Sequence, residues 1–143
     1  RLSDLDDRDG RLLSGGQMRR ASLAIGIALN PGVLLLDEPT ANLDIATRRE
    51  IIDVLQQMKD IINTAVIATH DMQLVCQWAQ RIIVLCNGKV VADGSRDEIF
   101  SRQDIAGLVG IRPPEIFSMA RALDNRALCY TIDEFTSSFQ KGV

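Results

Sequence analysis

Two neighbouring carboxylates stand directly after a short apolar run near the start of the chain. Residues 33–36 read VLLL, and Asp37 and Glu38 follow. The continuous run predicts a strand buried on both faces, and ligands of open α/β sheets gather at the carboxyl ends of such strands. One acidic residue there can serve Mg²⁺, and its neighbour can orient or deprotonate a water molecule. A solvated strand end with two charges is the plainer alternative.

A second apolar segment ends in the chain's single histidine. Residues 65–69 read AVIAT, and His70 follows. This segment predicts another buried strand, and a neutral imidazole at its end can hydrogen-bond to a phosphate or to an attacking water. A lone histidine at a strand end is more often structural. Its predicted place in the same layer as Asp37 and Glu38 favours the functional interpretation.

Two further segments carry helix-capping residues. Residues 13–17 read LSGGQ, in which Ser14 is a good N-cap and the two glycines let the backbone approach an anion closely. Because the N–H groups at a helix N-terminus are unpaired, this segment predicts a phosphate site, with a simple helix cap as the alternative. Residues 41–44 read ANLD, and Asp44 is expected to cap the next helix.

The elements around these residues alternate between helix and strand, which predicts an α/β layer with parallel strands. The sequence predicts neither a helix nor a strand clearly over residues 129–143. Helices are predicted to begin at Ser14 and after Asp44, and to cover residues 71–79, 96–101, 103–109 and 115–124. Strands are predicted over residues 33–36, 65–69, 81–86 and 89–93. Asn87-Gly88 is predicted to form a tight hairpin turn between the last two strands.

Composition excludes several classes of protein. The 143 residues are 46% hydrophobic and carry a net charge of -3, so no strong field for nucleic acid or an anionic membrane is expected. The longest apolar runs are far shorter than a bilayer span. Three cysteines without CxxC spacing favour a reducing compartment over a disulfide framework or a zinc site.

In their order and spacing, the four segments resemble the ATP-binding-cassette (ABC) family over about residues 12–94. Residues 13–17 match its LSGGQ signature, residues 33–38 look like its Walker B strand and catalytic Glu, residues 41–44 resemble its D-loop, and His70 resembles its switch histidine. The chain departs from the family at Ile45, where Pro is usual, and near Arg19, where most members carry Gln or Lys.

The resemblance implies a fold and a division of the chain. The fold is α/β, a P-loop NTPase-like ABC ATPase domain, of which this is the C-terminal half with the end of the helical subdomain, parallel core strands and a C-terminal hairpin plus accessory helices. Residues 1–94 would be the C-terminal part of the nucleotide-binding domain. Residues 95–143 would be a helical extension packed on the same domain.

The resemblance also implies the roles of the site residues, with ATP and Mg²⁺ as cofactors. Asp37 would support Mg²⁺, Glu38 would be the general base, and His70 would contact the γ-phosphate and position the water. Asp44 would couple the two sites of a dimer. The signature residues would press on the γ-phosphate of ATP held by the opposite subunit: Ser14, Gly15, Gly16 and Gln17.

The sequence contains no GxxxxGK[ST] segment, the pattern that cradles the α- and β-phosphates. We therefore expect that the upstream part of the domain lies outside these 143 residues and that they alone do not hydrolyse ATP.

Shorter features resemble the energy-coupling-factor and cobalt/nickel transporter ATPases: Arg19-Arg20, residues 91–94 (VADG), 98–100 (EIF) and 110–114 (GIRPP). They imply an ATPase subunit of an importer of vitamins or metal ions, bound peripherally at the cytoplasmic face of the membrane. Its partners would be a second ATPase subunit, identical or homologous, and a transmembrane permease, with no nucleic acid. The alternatives are a soluble ABC ATPase acting on ribosomes or nucleic acid, and a regulatory subunit that binds nucleotide without turnover.

Overall fold

A computed structural model describes residues 13–59, 61–102, 104–105, 107 and 110–140. The chain divides into two compact units at the bond between His70 and Asp71, and each unit is described by itself. The division at residue 94 predicted from the sequence concerns a domain and its extension, and it stays a prediction.

The first unit opens with helix α1, Gly15–Ala28. The helix begins at a capping box, in which Ser14 Oγ accepts from the Gln17 amide at 3.3 Å and Gln17 Oε1 accepts from the Ser14 amide at 2.9 Å. It ends at Leu29, after which Asn30 takes a left-handed backbone with φ 45°. The predicted start of this helix is therefore confirmed.

Two parallel strands form the sheet of the first unit. Strand β1, Val33–Asp37, pairs with strand β2, Thr64–Ala68, so that Asp37 lies beside Ala68 at their carboxyl ends. Helix α2, Ile45–Gln57, connects them, since parallel neighbours need a crossover. Ile51 and Leu55 of α2 are fully buried, one helical turn apart on the same face.

The prediction that both strands are buried on both faces is wrong for the described residues. Val33, Leu35 and Val66 are more than half exposed, whereas Leu34 is 7% exposed. Side chains alternate along a strand, so these three share one face of the sheet, and β2 is the partner that the structure gives to β1. In the described residues, the face of this two-stranded sheet that carries Leu34 is covered, and the opposite face is exposed.

The second unit contains a helix, a hairpin and a short helix in sequence. Helix α3 spans Met72–Trp78, strands β3 and β4 span Ile82–Cys86 and Lys89–Gly94, and helix α4 spans Arg96–Phe100. The strands are antiparallel around Asn87-Gly88, as predicted, with φ of 50° and 73° at the two turn residues. Their buried side chains share one cluster with the following helical segment: Val84, Ala92, Ile99 and Ile105.

Two helices close the second unit. Helix α5, Glu115–Leu123, follows Pro114 as predicted, and helix α6, Ile132–Phe139, fills part of the undecided segment. A capping box of Thr131 and Glu134 starts α6. The helix predicted over residues 103–109 lies partly outside the described residues; 104, 105 and 107 are helical. None of the helices that the structure describes combines the length and the hydrophobicity that spanning a bilayer requires.

Candidate active site

The end of β1 turns sharply at Glu38. Its amide still continues the ladder, donating to the Ala68 carbonyl at 2.8 Å, but its φ is 43°. A left-handed backbone is costly for a side-chain-bearing residue, by about 1–2 kcal/mol. The chain then closes a turn in which the Ala41 amide donates to the Glu38 carbonyl at 3.2 Å. Strain is thus concentrated at the residue predicted to act on water.

The Glu38 carboxylate accepts hydrogen bonds from two residues that follow β2. Thr69 Oγ1 donates to Oε2 at 2.9 Å, and the His70 amide donates to Oε1 at 3.1 Å. His70 Nδ1 lies 2.6 Å from the same Oε1. The parallel pairing of β1 and β2 explains the meeting, because it puts both strand ends at one edge of the sheet.

These contacts lower the pKa of Glu38. Partial burial by itself raises the pKa, but the hydrogen bonds from His70 and Thr69, together with the charge of His70, outweigh it. The carboxylate is therefore ionised at neutral pH. Its side chain is 34% exposed and that of His70 is 85% exposed, so both can be reached from solvent.

Asp37 lies on the opposite face of β1 from Leu34, which is buried, and Leu36, which is half-buried. It is exposed at the carboxyl end of β1, next to Glu38. In the described part of the chain, no group of three or more His, Cys, Asp or Glu side chains surrounds a common point. A cation such as Mg²⁺ usually binds through one or two carboxylates plus water and phosphate oxygens rather than in an all-protein cage.

The LSGGQ segment forms the first turn of α1. Its cap engages the amides of Gln17 and Met18, the latter donating to the Ser14 carbonyl at 2.9 Å. The amides of Gly15 and Gly16 are the ones that helix geometry leaves for an external acceptor. An anion at this helix end also meets the positive end of the helix dipole.

Asp44 caps α2, as predicted. Its Oδ1 accepts from the Thr47 amide at 2.9 Å, and its Oδ2 accepts from Thr47 Oγ1 at 2.7 Å. These hydrogen bonds, the backbone one first, hold the pKa of Asp44 below its usual value. Gly16 lies against the same Thr47: a Cβ on Gly16 would come within 2.8 Å of Thr47 Cγ2.

The predicted site residues therefore fall into two groups. Glu38 and His70 are in contact, and Gly16 and Asp44 meet at Thr47. Sequence reasoning missed Thr69 and Thr47. A hydroxyl just before His70, and a hydroxyl three residues after a capping Asp, were the available signals.

Comparisons with known proteins show which sequences this chain resembles. A family model described as ABC transporter matches residues 1–41. The cobalt import ATP-binding protein CbiO of Rhodobacter capsulatus is 39% identical over 119 residues, which are 83% of this chain and 42% of that protein. An energy-coupling factor transporter ATP-binding protein of Bacillus licheniformis is 38% identical over 142 residues, covering 94% of this chain and 49% of that protein.

Solved structures of ABC ATPase domains are also similar to this chain. The structure of cbiO1 from Clostridium perfringens, part of an ABC transporter complex, matches with a TM-score of 0.60 and 35% identity over 79% of this chain and 45% of that one. A dimeric ATP-binding cassette bound to ADP and Pi matches with a TM-score of 0.56 and 32% identity over 66% of this chain and 42% of that one.

The fold is that of the ABC-type, P-loop NTPase-like ATPase domains, and nucleotide binding is a property of that family. The chain belongs to the family of ABC transporter ATP-binding proteins. It spans less than half the length of these curated relatives.

Proposed function

We propose that these residues form the water-activating part of an ATP-hydrolysing site in an ABC-type importer. The observation that carries the proposal is the Glu38 carboxylate, placed at the carboxyl end of β1 and bound there by Thr69 and His70 from the end of β2. A carboxylate oriented by neighbouring donors at this edge of an α/β sheet is suited to position a water for attack on a phosphoryl group.

Glu38 is the general base in this proposal, and His70 controls its strength. While His70 is bound, the pKa of Glu38 is lowered, and a carboxylate of low pKa is a weak base. When the exposed imidazole turns to a γ-phosphate, Glu38 loses that hydrogen bond and its pKa rises. The carboxylate then takes up a proton from water more readily. Contact between His70 and the phosphate thus activates the base.

Asp37 is the residue that would hold Mg²⁺, directly or through water. It is exposed beside Glu38, and its carboxylate oxygens are the ligands that this cation prefers. The bound cation would neutralise charge that develops on the phosphate oxygens. Asp37 itself orients the phosphate end of the nucleotide relative to Glu38.

The first turn of α1 serves the other subunit of a dimer. Ser14, Gly15, Gly16 and Gln17 present a helix N-terminus to the γ-phosphate of ATP on that subunit. Asp44, fixed by its cap on α2, couples the two sites. The ADP- and Pi-bound cassette that this chain resembles is dimeric, which supports this assignment.

The relatives support an import ATPase, because two of them carry the names of cobalt import and energy-coupling factor proteins. Vitamins or metal ions are the proposed cargo, with a transmembrane permease and a second ATPase subunit as partners at the cytoplasmic face of the membrane. The relatives' names give no support to a soluble ATPase acting on ribosomes or nucleic acid.

Replacing Glu38 by Gln tests the proposal in the full-length protein with its partner subunits. The amide keeps the shape and cannot take a proton, so ATP turnover should fall by at least about 100-fold. Bound ATP should accumulate in a stable dimer, measured by size-exclusion chromatography with nucleotide analysis. Asp53→Asn, an exposed carboxylate on α2, is the matched control and should keep full turnover. Unchanged turnover in Glu38→Gln would reject Glu38 as the base and, with it, the proposed function.

A further inference from the structure

Thr47 stands in the first turn of α2 and touches two segments that are distant in sequence. Its methyl group faces Gly16 of the LSGGQ segment, and its hydroxyl and amide both bind Asp44. Thr47 therefore connects the start of α1 to the start of α2.

Thr47 packs so closely against Gly16 that no residue with a Cβ fits at position 16 without a shift. A Cβ at this position would lie 2.8 Å from Thr47 Cγ2 and 3.4 Å from Thr47 Oγ1, whereas a Cβ on Gly15 would meet nothing within 4 Å. Distances under 3.0 Å between such atoms force one group to move. The second glycine of the segment is thus required by packing against Thr47, and the first is not.

The contact with Asp44 uses both oxygens of the carboxylate. Thr47 donates to Oδ1 from its amide and to Oδ2 from its hydroxyl, which fixes the rotation of the carboxylate as well as its position. The lowered pKa of Asp44 agrees with these two donors.

A second contact one turn along supports the same alignment. Arg20 Nη1 donates to Glu50 Oε2 at 2.6 Å. Residues 16 and 20 are one turn apart on α1, and residues 47 and 50 are about one turn apart on α2. Two contacts therefore join α1 and α2: Gly16 with Thr47 near the helix starts, and Arg20 with Glu50 one turn further along.

We propose that Thr47 is a positioning residue that joins Gly16 and Asp44 into one surface of fixed geometry, so that the LSGGQ turn and the D-loop meet the opposite subunit together. The inference rests on the proposed function. The methyl group sets how far the LSGGQ turn lies from α2. The hydroxyl sets where Asp44 points. A change at one segment is transmitted to the other through this side chain.

The contact with Gly16 is tested by rescue in the full-length protein. Gly16→Ala should lower kcat for ATP by about tenfold or more, since the added Cβ meets Thr47 Cγ2. Thr47→Ser removes that methyl group and keeps the hydroxyl, so Gly16→Ala with Thr47→Ser should recover at least about threefold of the loss. Gly15→Ala is the matched control, and any loss it causes should not be recovered by Thr47→Ser. No recovery of Gly16→Ala, or equal recovery of both, overturns the proposal.

The contact with Asp44 is tested by Thr47→Val, which keeps the methyl group and loses the hydroxyl donor. We expect kcat to fall by about threefold to tenfold while KM for ATP stays within about twofold. Thr131→Val removes the equivalent cap of α6 in the second unit. It should lower the melting temperature and leave kcat unchanged. If Thr47→Val lowers only the melting temperature and leaves kcat unchanged, Thr47 has a purely structural role and the positioning role is wrong.

Glu38→Gln, measured in parallel, separates the two ideas. If Glu38→Gln abolishes turnover while Thr47→Ser fails to rescue Gly16→Ala, the positioning role is wrong and the proposed function stands. If Glu38→Gln retains turnover, the proposed function itself fails. Should Gly16→Ala reduce the folded fraction, recovery of its unfolding midpoint by Thr47→Ser still tests the methyl contact, and an unrecovered midpoint rejects it.

Discussion

At the scale of single residues, Glu38 combines two properties that rarely occur together. Its backbone is left-handed, with φ 43°, and its carboxylate accepts three contacts from Thr69 and His70. The strained backbone aims the side chain back across the sheet edge towards the end of β2. The donors hold the carboxylate ionised and in one orientation before His70 turns to the phosphate, so the base is already placed when it is activated.

The pKa of Glu38 should respond to loss of its donors. In the wild type we expect a pKa below the usual 4.5. His70→Ala should raise it, because the opposing effect of burial remains, and Thr69→Val should raise it by less. The stabilising contribution of the ionised carboxylate is complete above pH 4.5 and is lost as the pH falls through the lowered pKa. A ¹³C NMR titration of the carboxyl group measures both effects, and a pKa unchanged in His70→Ala contradicts the assigned cause.

At the scale of elements, local chemistry determines where most helices and turns begin. Capping boxes start α1, α4 and α6. The hairpin turn depends on left-handed conformations at Asn87 and Gly88, which these two residue types accept most readily. The turn holds β3 and β4 in the register that buries Val84 and Ala92.

A side chain with a branched Cβ at the hairpin turn should be costly. Gly88 has φ 73°, so Gly88→Val should destabilise the protein by about 1–2 kcal/mol. Gly32→Val is the control: a Cβ at Gly32 meets nothing within 4 Å and its φ is not positive, so the change should stay within about 0.5 kcal/mol. Urea unfolding followed by circular dichroism compares the two. Equal losses would mean that backbone strain does not govern the turn.

At the scale of the whole molecule, the Arg96 side chain contacts several elements of the second unit. Its Nη1 donates to the Cys76 carbonyl at 2.8 Å and lies 2.9 Å from Glu134 Oε1, and its guanidinium carbon lies 4.3 Å from the centre of the Tyr130 ring. These contacts join α3, α4, the chain before α6, and α6 itself. Burial raises the pKa of the Cys76 thiol to about 12, so it stays protonated and unreactive.

Removing this cation should loosen α6 before the rest of the unit. Arg96→Met keeps the apolar stem and removes the hydrogen bonds and the contact with the Tyr130 ring, at a cost of about 2 kcal/mol. Amide hydrogen exchange should accelerate in Ile132–Phe139. Arg102→Met, which breaks only an exposed pair with Asp104, should cost less than about 0.5 kcal/mol. Equal protection of α6 from exchange in both variants would show that Arg96 does not stabilise α6.

The sequence alone determined the elements and the family, because caps, breakers and apolar periods act over a few residues. It indicated Ser14 as a cap, the hairpin at Asn87-Gly88, and the parallel strands that end at Glu38 and His70. It left α6 undecided, since the Thr131 cap is followed by a short helix with few strongly apolar residues.

Only the tertiary structure decided which atoms meet. It gave Glu38 its donors Thr69 and His70, and it placed Thr47 between Gly16 and Asp44. It also left Val33 and Leu35 exposed where a strand buried on both faces was expected. Strand pairing and helix packing bring together residues about 30 positions apart, and no short-range pattern in the sequence records such distances or the cover over a sheet face.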